Sequence, residues 1–168
     1  MKKFLLVVLL IGIAFPIQAQ RNSASPKEKV NERLEAWHLA AANAHYDAYF
    51  ENMAENSVFI GTDPTENWTK SEFMIWAKPY FDRGKAWSFS TLERNIFVGE
   101  NGNLAWFDEL LETQMGICRG SGVVVKEDDK WKVKHYVLSI AIPNENVDQV
   151  TVLKKEFDNK LMSKLKSD

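Results

Sequence analysis

From Trp87 to Ile142 the sequence reads as four long β-strands with very little chain between them. The segments run from Trp87 to Val98, Leu104 to Met115, Ile117 to Lys126 and Lys130 to Ile142. Gly99-Glu100-Asn101-Gly102, a bend near Gly116 and Glu127-Asp128-Asp129 separate them. Strands that follow one another through turns this short pair antiparallel, so this part of the chain predicts a meander.

The chain ahead of the meander is helical in pattern. Ser25-Pro26-Lys27-Glu28 is a helix start: Ser25 caps, Pro26 suits the first turn and Glu28 completes a capping box. Val30, Leu34, Trp37, Ala41 and Ala44 then recur at helical spacing and mark a buried face. A short second helix is expected from His45 to Met53, followed by a strand at Ser57-Val58-Phe59-Ile60 that Gly61 and Thr62-Asp63-Pro64 stop. Thr69-Lys70-Ser71-Glu72 forms a second capping box. The helix behind it carries Phe73, Trp76, Ala77, Tyr80 and Phe81, with Pro79 expected to end or kink it and Gly84 at its exit. After the meander, Val150, Leu153, Phe157 and Leu161 form the stripe of a C-terminal helix. Helices first and a sheet afterwards is an α+β pattern.

The first residues read as an address. Met1-Lys2-Lys3 precedes the apolar run Phe4 to Ala14, which is shorter than the roughly 20 residues a membrane-spanning helix needs. A signal peptide over 1–19, cut near Ala19, is the expectation, which sends the protein to a periplasmic or secreted location with no membrane span after cleavage. The domain then occupies 20–145, and a C-terminal helix and tail occupy 146–168. Cys118 is the only cysteine, so no intrachain disulfide is available and the fold must rest on its core; Cys118 itself is read as a small core residue. A formal net charge of −2 lacks the basic excess of a polyphosphate-binding surface, which argues against nucleic acid as a partner.

Four stretches stand out beyond their secondary structure: Tyr49-Phe50-Glu51-Asn52-Met53-Ala54-Glu55, Val58 to Glu66, Ala105-Trp106-Phe107-Asp108-Glu109 and Trp131 to Ser139. In these the chain resembles the SnoaL-like branch of the nuclear transport factor 2-like superfamily. Together they span most of the chain from Pro26 to Asn144. The resemblance implies a cone-shaped curved antiparallel sheet wrapped around the N-terminal helices, a pocket at the open end and a homodimer formed through the outer sheet face. It implies no single chemistry, because relatives include isomerases, dehydratases, cyclases and proteins that only bind or assemble.

Strand alternation nominates pocket residues. If Lys132 and Lys134 face out, then Trp131, Val133, His135 and Val137 face in; if Lys126 faces out, then Arg119, Ser121, Val123 and Val125 face in. Asp108 and Glu109 are consecutive, so only one shares that face. Without a bulge, Trp106 goes with Asp108 and Phe107 with Glu109. A carboxylate, the His135 imidazole and the Arg119 guanidinium could carry proton transfer, with the carboxylate as base and Arg119 holding a developing oxyanion. The structural alternative is an internal ion pair of Arg119 with Asp108 or Glu109 beside a satisfied core His135.

No metal or other cofactor is expected. His38 and His45 are seven residues apart on a helical stretch, about 10 Å at ~1.5 Å rise per residue, too far to bind one ion. There is no nucleophile elbow and no Gly-rich phosphate loop. The aromatic content of 12%, six tryptophans among it, instead suggests an apolar cleft for a small ligand. The candidate lining is Trp68, Trp76, Trp87, Trp106, Trp131 and Tyr49, with Trp68 and Trp87 nearest a rim. Three functions remain open on the residues alone: a binder of a small apolar molecule, a proton-transfer enzyme of isomerase or dehydratase type, and an interaction protein that docks a partner on its sheet or its Phe157 helix.

Overall fold

A computed structural model describes residues 24–167. The signal peptide expected over 1–19 lies outside them. The chain is α+β, with its three N-terminal helices packed on one side of a curved six-stranded sheet. Helix α1 (Pro26–Ala42) begins at the expected capping box: Ser25 Oγ accepts the Glu28 N–H at 3.2 Å, and Glu28 Oε2 accepts the Ser25 N–H at 2.6 Å. Helix α2 (Tyr46–Glu51) follows, then strand β1 (Met53–Ile60), which starts four residues before the Ser57 start expected from sequence.

Two elements depart from the sequence reading near β1. A short strand β2 (Asn67–Thr69) forms where only a loop and a cap were expected, pairing Phe59 with Trp68. Helix α3 (Lys70–Asp82) runs through Pro79 to Asp82. The helical bond that proline cannot make belongs to the Ile75 carbonyl, and Ile75 is largely exposed, so water can take it.

The meander is present as β3 (Ser90–Val98), β4 (Leu104–Thr113), β5 (Gly116–Glu127) and β6 (Lys130–Ile140). The turn into β6 places Asp128 at φ 48° and Asp129 at φ 60°, the left-handed pair that a tight two-residue hairpin requires. β3 begins three residues later than expected, which leaves Trp87 and Phe89 on irregular chain. The order across the sheet is β2-β1-β6-β5-β4-β3, with β1 and β6 parallel and every other pair antiparallel. Register shifts in the β1–β6, β3–β4 and β5–β6 pairings bend the sheet. Its concave face packs on α1, α2 and α3 around Leu34, Trp37, Tyr49, Phe73, Leu111 and Tyr136, all fully buried. Cys118 is buried in this core as expected.

Helix α4 (Val147–Leu165) realises the C-terminal stripe but buries none of its residues; Leu153 is 84% exposed. Among the described residues, no helix is long and apolar enough to cross a membrane.

Candidate functional site

The concave face holds a different polar cluster from the one that alternation nominates. In β4 the alternation is regular: Ala105, Phe107, Glu109 and Leu111 point into the core, while Trp106 and Asp108 point away. Trp106 therefore does go with Asp108, and Phe107 with Glu109. Glu109 is the inward carboxylate, fully buried.

His135 and Arg119 are corrections. Val123 pairs with His135 but Val124 pairs with Val133, so Lys134 is an extra residue in β6 and the phase of the strand reverses there. Trp131 and Val133 face inward as expected, and beyond the bulge Tyr136 and Leu138 face inward in place of His135 and Val137. β5 is offset by one throughout. Cys118, Gly120 and Val124 are buried, and Arg119 is exposed. Lys126 shares the inward phase because it lies opposite Trp131, but at the strand end, where its ammonium still reaches Asp129 at 2.9 Å. Arg119 does approach Asp108, at 3.8 Å, but on the solvent side of the sheet with both side chains well exposed.

The Glu109 carboxylate is met by groups from three other elements. Oε1 accepts the Tyr136 hydroxyl at 2.8 Å and lies 2.9 Å from His38 Nε2. Oε2 takes Arg94 Nε at 2.8 Å and a second guanidinium nitrogen at 2.6 Å. Arg94 also donates to Asn31 at 2.9 Å and Thr91 at 2.9 Å, and it pairs with Glu35. Burial pushes the Glu109 carboxyl up, but the His38 hydrogen bond and the charges of His38 and Arg94 outweigh it and hold the group below the ordinary carboxylate range. Burial and the adjacent Glu109 charge raise the Tyr136 phenol well above its usual value.

Gly120 makes this packing possible. A Cβ there would stand 2.3 Å from the Tyr136 hydroxyl and 2.9 Å from Glu109 Oε1. Carboxylate, imidazole and guanidinium thus converge as the sequence suggests, but the partners are His38 and Arg94. His38 sits one turn after Leu34 on the buried stripe of α1, a placement that marks it as an inward residue. Arg94 carries no comparable signal. With both oxygens engaged and every member sealed from solvent, the cluster is built as an internal strut between α1, β3, β4 and β6.

Beside it, a cleft of about 160 Å³ opens between β1, β2, α3, the chain ahead of β3 and the β4–β5 turn. Trp68, Trp76 and Trp87 line it over a floor of Phe59 and Phe73, with Glu66 and Gln114 among its few polar neighbours. Three of the six nominated aromatic residues are therefore at this cleft, and Trp76 is 38% exposed at its edge. The other three are elsewhere. Trp106 is on the outer sheet face, stacked on Phe97 at 5.7 Å. Tyr49 is sealed in the core against Trp37 at 5.1 Å. Trp131 is buried and borders a separate groove with Arg33 and Lys130. His38 and the cleft are one ring apart: Phe89, which lines the cleft, packs edge-on against His38 at 5.6 Å.

Solved structures share this architecture. A protein of the nuclear transport factor 2-like type from Pseudomonas putida KT2440, of unknown function, superposes with a TM-score of 0.60 at 14% identity, covering 71% of this chain and 89% of its own. One from Cytophaga hutchinsonii gives 0.60 at 15% identity, covering 70% and 100%. A provisionally named ketosteroid isomerase from Shewanella frigidimarina gives 0.56 at 14% identity, covering 68% and 98%. At these identities the likeness concerns the fold. No functionally curated protein matches the sequence. The model of the SnoaL-like domain matches residues 30–143, most of the chain, and that match shows the family: this protein belongs to the SnoaL-like domain proteins of the nuclear transport factor 2-like fold.

Proposed function

We propose that this protein binds a small, largely apolar ligand in the cleft walled by Trp68, Trp76 and Trp87. The observation that carries the reading is the match of size and surface. A cleft of about 160 Å³ with aromatic walls has room for one six-membered ring and few polar groups to satisfy. Titration of the folded protein with a panel of single-ring compounds, followed by tryptophan fluorescence and calorimetry, tests it. Saturable binding that Trp76→Ala weakens supports the reading, and no saturable binding across the panel overturns it. The alternative, proton transfer by His135 with Asp108 or Glu109, has no comparable support: His135 and Asp108 lie on the outer face, and Glu109 is sealed behind its own donors.

Two further expectations belong with this reading. Export to a periplasmic or secreted location rests on the first nineteen residues, and the exported protein should begin at Gln20 when its N-terminus is sequenced. A homodimer through the outer sheet face is supported by the exposed Phe97, Leu104, Trp106 and Ile117 on β3, β4 and β5. Sedimentation velocity should give twice the chain mass, and Trp106→Arg should return it to a monomer.

A further inference from the structure

The charge of the cleft narrows what it can take. Among the described residues that line it, Glu66 alone carries a charge, and no lysine, arginine or histidine answers it. The carboxylate is held there by its own turn. Gly61 N–H donates to the Glu66 carbonyl at 3.1 Å, and the Asp63 N–H donates to Glu66 Oε2 at 3.2 Å. Gly61, also on the cleft wall, leaves the space that the side chain occupies: a Cβ there would stand 2.1 Å from Oε2 and 3.1 Å from the Glu66 Cβ.

Beyond the carboxylate stand the indoles. Trp68 and Trp76 have ring centroids 4.6 Å apart, and Trp76 and Trp87 6.4 Å apart. The unanswered Glu66 carboxylate gives the cleft a negative potential, which repels an anion. A purely apolar guest would cover the Glu66 carboxylate without pairing it, at a cost in hydration. A guest with a positive centre pairs the carboxylate while its apolar body packs among the aromatic side chains of the walls.

We infer that the ligand is a compact organic cation, an ammonium centre attached to an apolar body about the size of one ring. This rests on the cleft being the ligand site and adds the sign of charge its occupant carries. A matched pair of probes separates the two ideas: phenyltrimethylammonium and its neutral isostere tert-butylbenzene, titrated into the full-length folded protein at low salt. The cation should bind about tenfold more tightly. Glu66→Gln should remove most of that preference, by weakening the cation and by tightening tert-butylbenzene, which then covers no charge. Gly61→Ala, which keeps the charge but displaces the carboxylate, should weaken the cation in the same direction. Should neither variant fold, raising the salt on the parent protein gives an independent readout: affinity for the cation falls and that for the neutral probe does not. Equal or weaker binding of the cation, or a Glu66→Gln variant that binds it as well as the parent, overturns the inference while leaving an apolar binding cleft intact. Failure of both probes to bind overturns the cleft as a ligand site as well.

Discussion

Replacing Glu109 by Gln keeps the outline of the side chain and removes the charge on which His38, Arg94 and Tyr136 converge. The buried Arg94 guanidinium is then left with Glu35, an exposed partner. Breaking a buried pair from one side costs about 3–5 kcal/mol, and urea denaturation should report a loss of that size. Replacing Glu109 and Arg94 together by apolar residues should cost less than the single change, because no charge is stranded. The cluster also sets an acid limit. The Glu109 carboxyl titrates lower in the folded chain than in the unfolded one, so its contribution is complete above the ordinary value of 4.5 and is lost as the pH falls through the folded value. Urea midpoints followed from neutral pH to about pH 3 should therefore drop further for the parent than for Glu109→Gln. At this scale the residue types of the cluster were legible and most of its members were not. Glu109 stood next to Asp108 between apolar neighbours, and only the register across β3, β4 and β5 separates them. His38 was visible on an apolar helix face, but its partner lies 71 residues away.

Elements were read more closely than residues, and the differences have local causes. Both capping boxes start their helices at the expected residues. Lys134 shows why faces are harder to read than strands. One additional residue leaves β6 continuous and its composition unchanged, yet it exchanges His135 for Tyr136 on the concave side. Nothing in the alternation of Lys132 and Lys134 announces it. The short β2 was hidden in a turn-rich stretch, and that strand carries Trp68 to the cleft. At the other end of the chain, α4 has the right stripe and no core beneath it. Removing residues 146–168 should change the stability of the domain by no more than about 0.5 kcal/mol, as exposed changes generally do, which thermal denaturation of the truncated chain would check. A larger loss would mean that α4 supports the sheet.

For the molecule as a whole, the architecture followed from the order of elements: helices, then a meander, closed by curvature. What that order did not convey is how the two halves join. β1 meets the meander through its parallel pairing with β6, and α1 is tied to β4 through the Glu109 carboxylate. That pairing has a consequence in time. Among the described residues β6 is the last strand in chain order, so β1, β2 and the inner face of α1 have no complete surface to close on until residues 130–140 are available. Contacts of such long sequence separation form slowly, since the intervening chain must be ordered first. A chain ending at Glu127 should accordingly lack cooperative thermal unfolding by circular dichroism. Folding of the domain is thereby held back until residues 130–140 have been made, and the chain ahead of them stays threadable through a narrow channel until then.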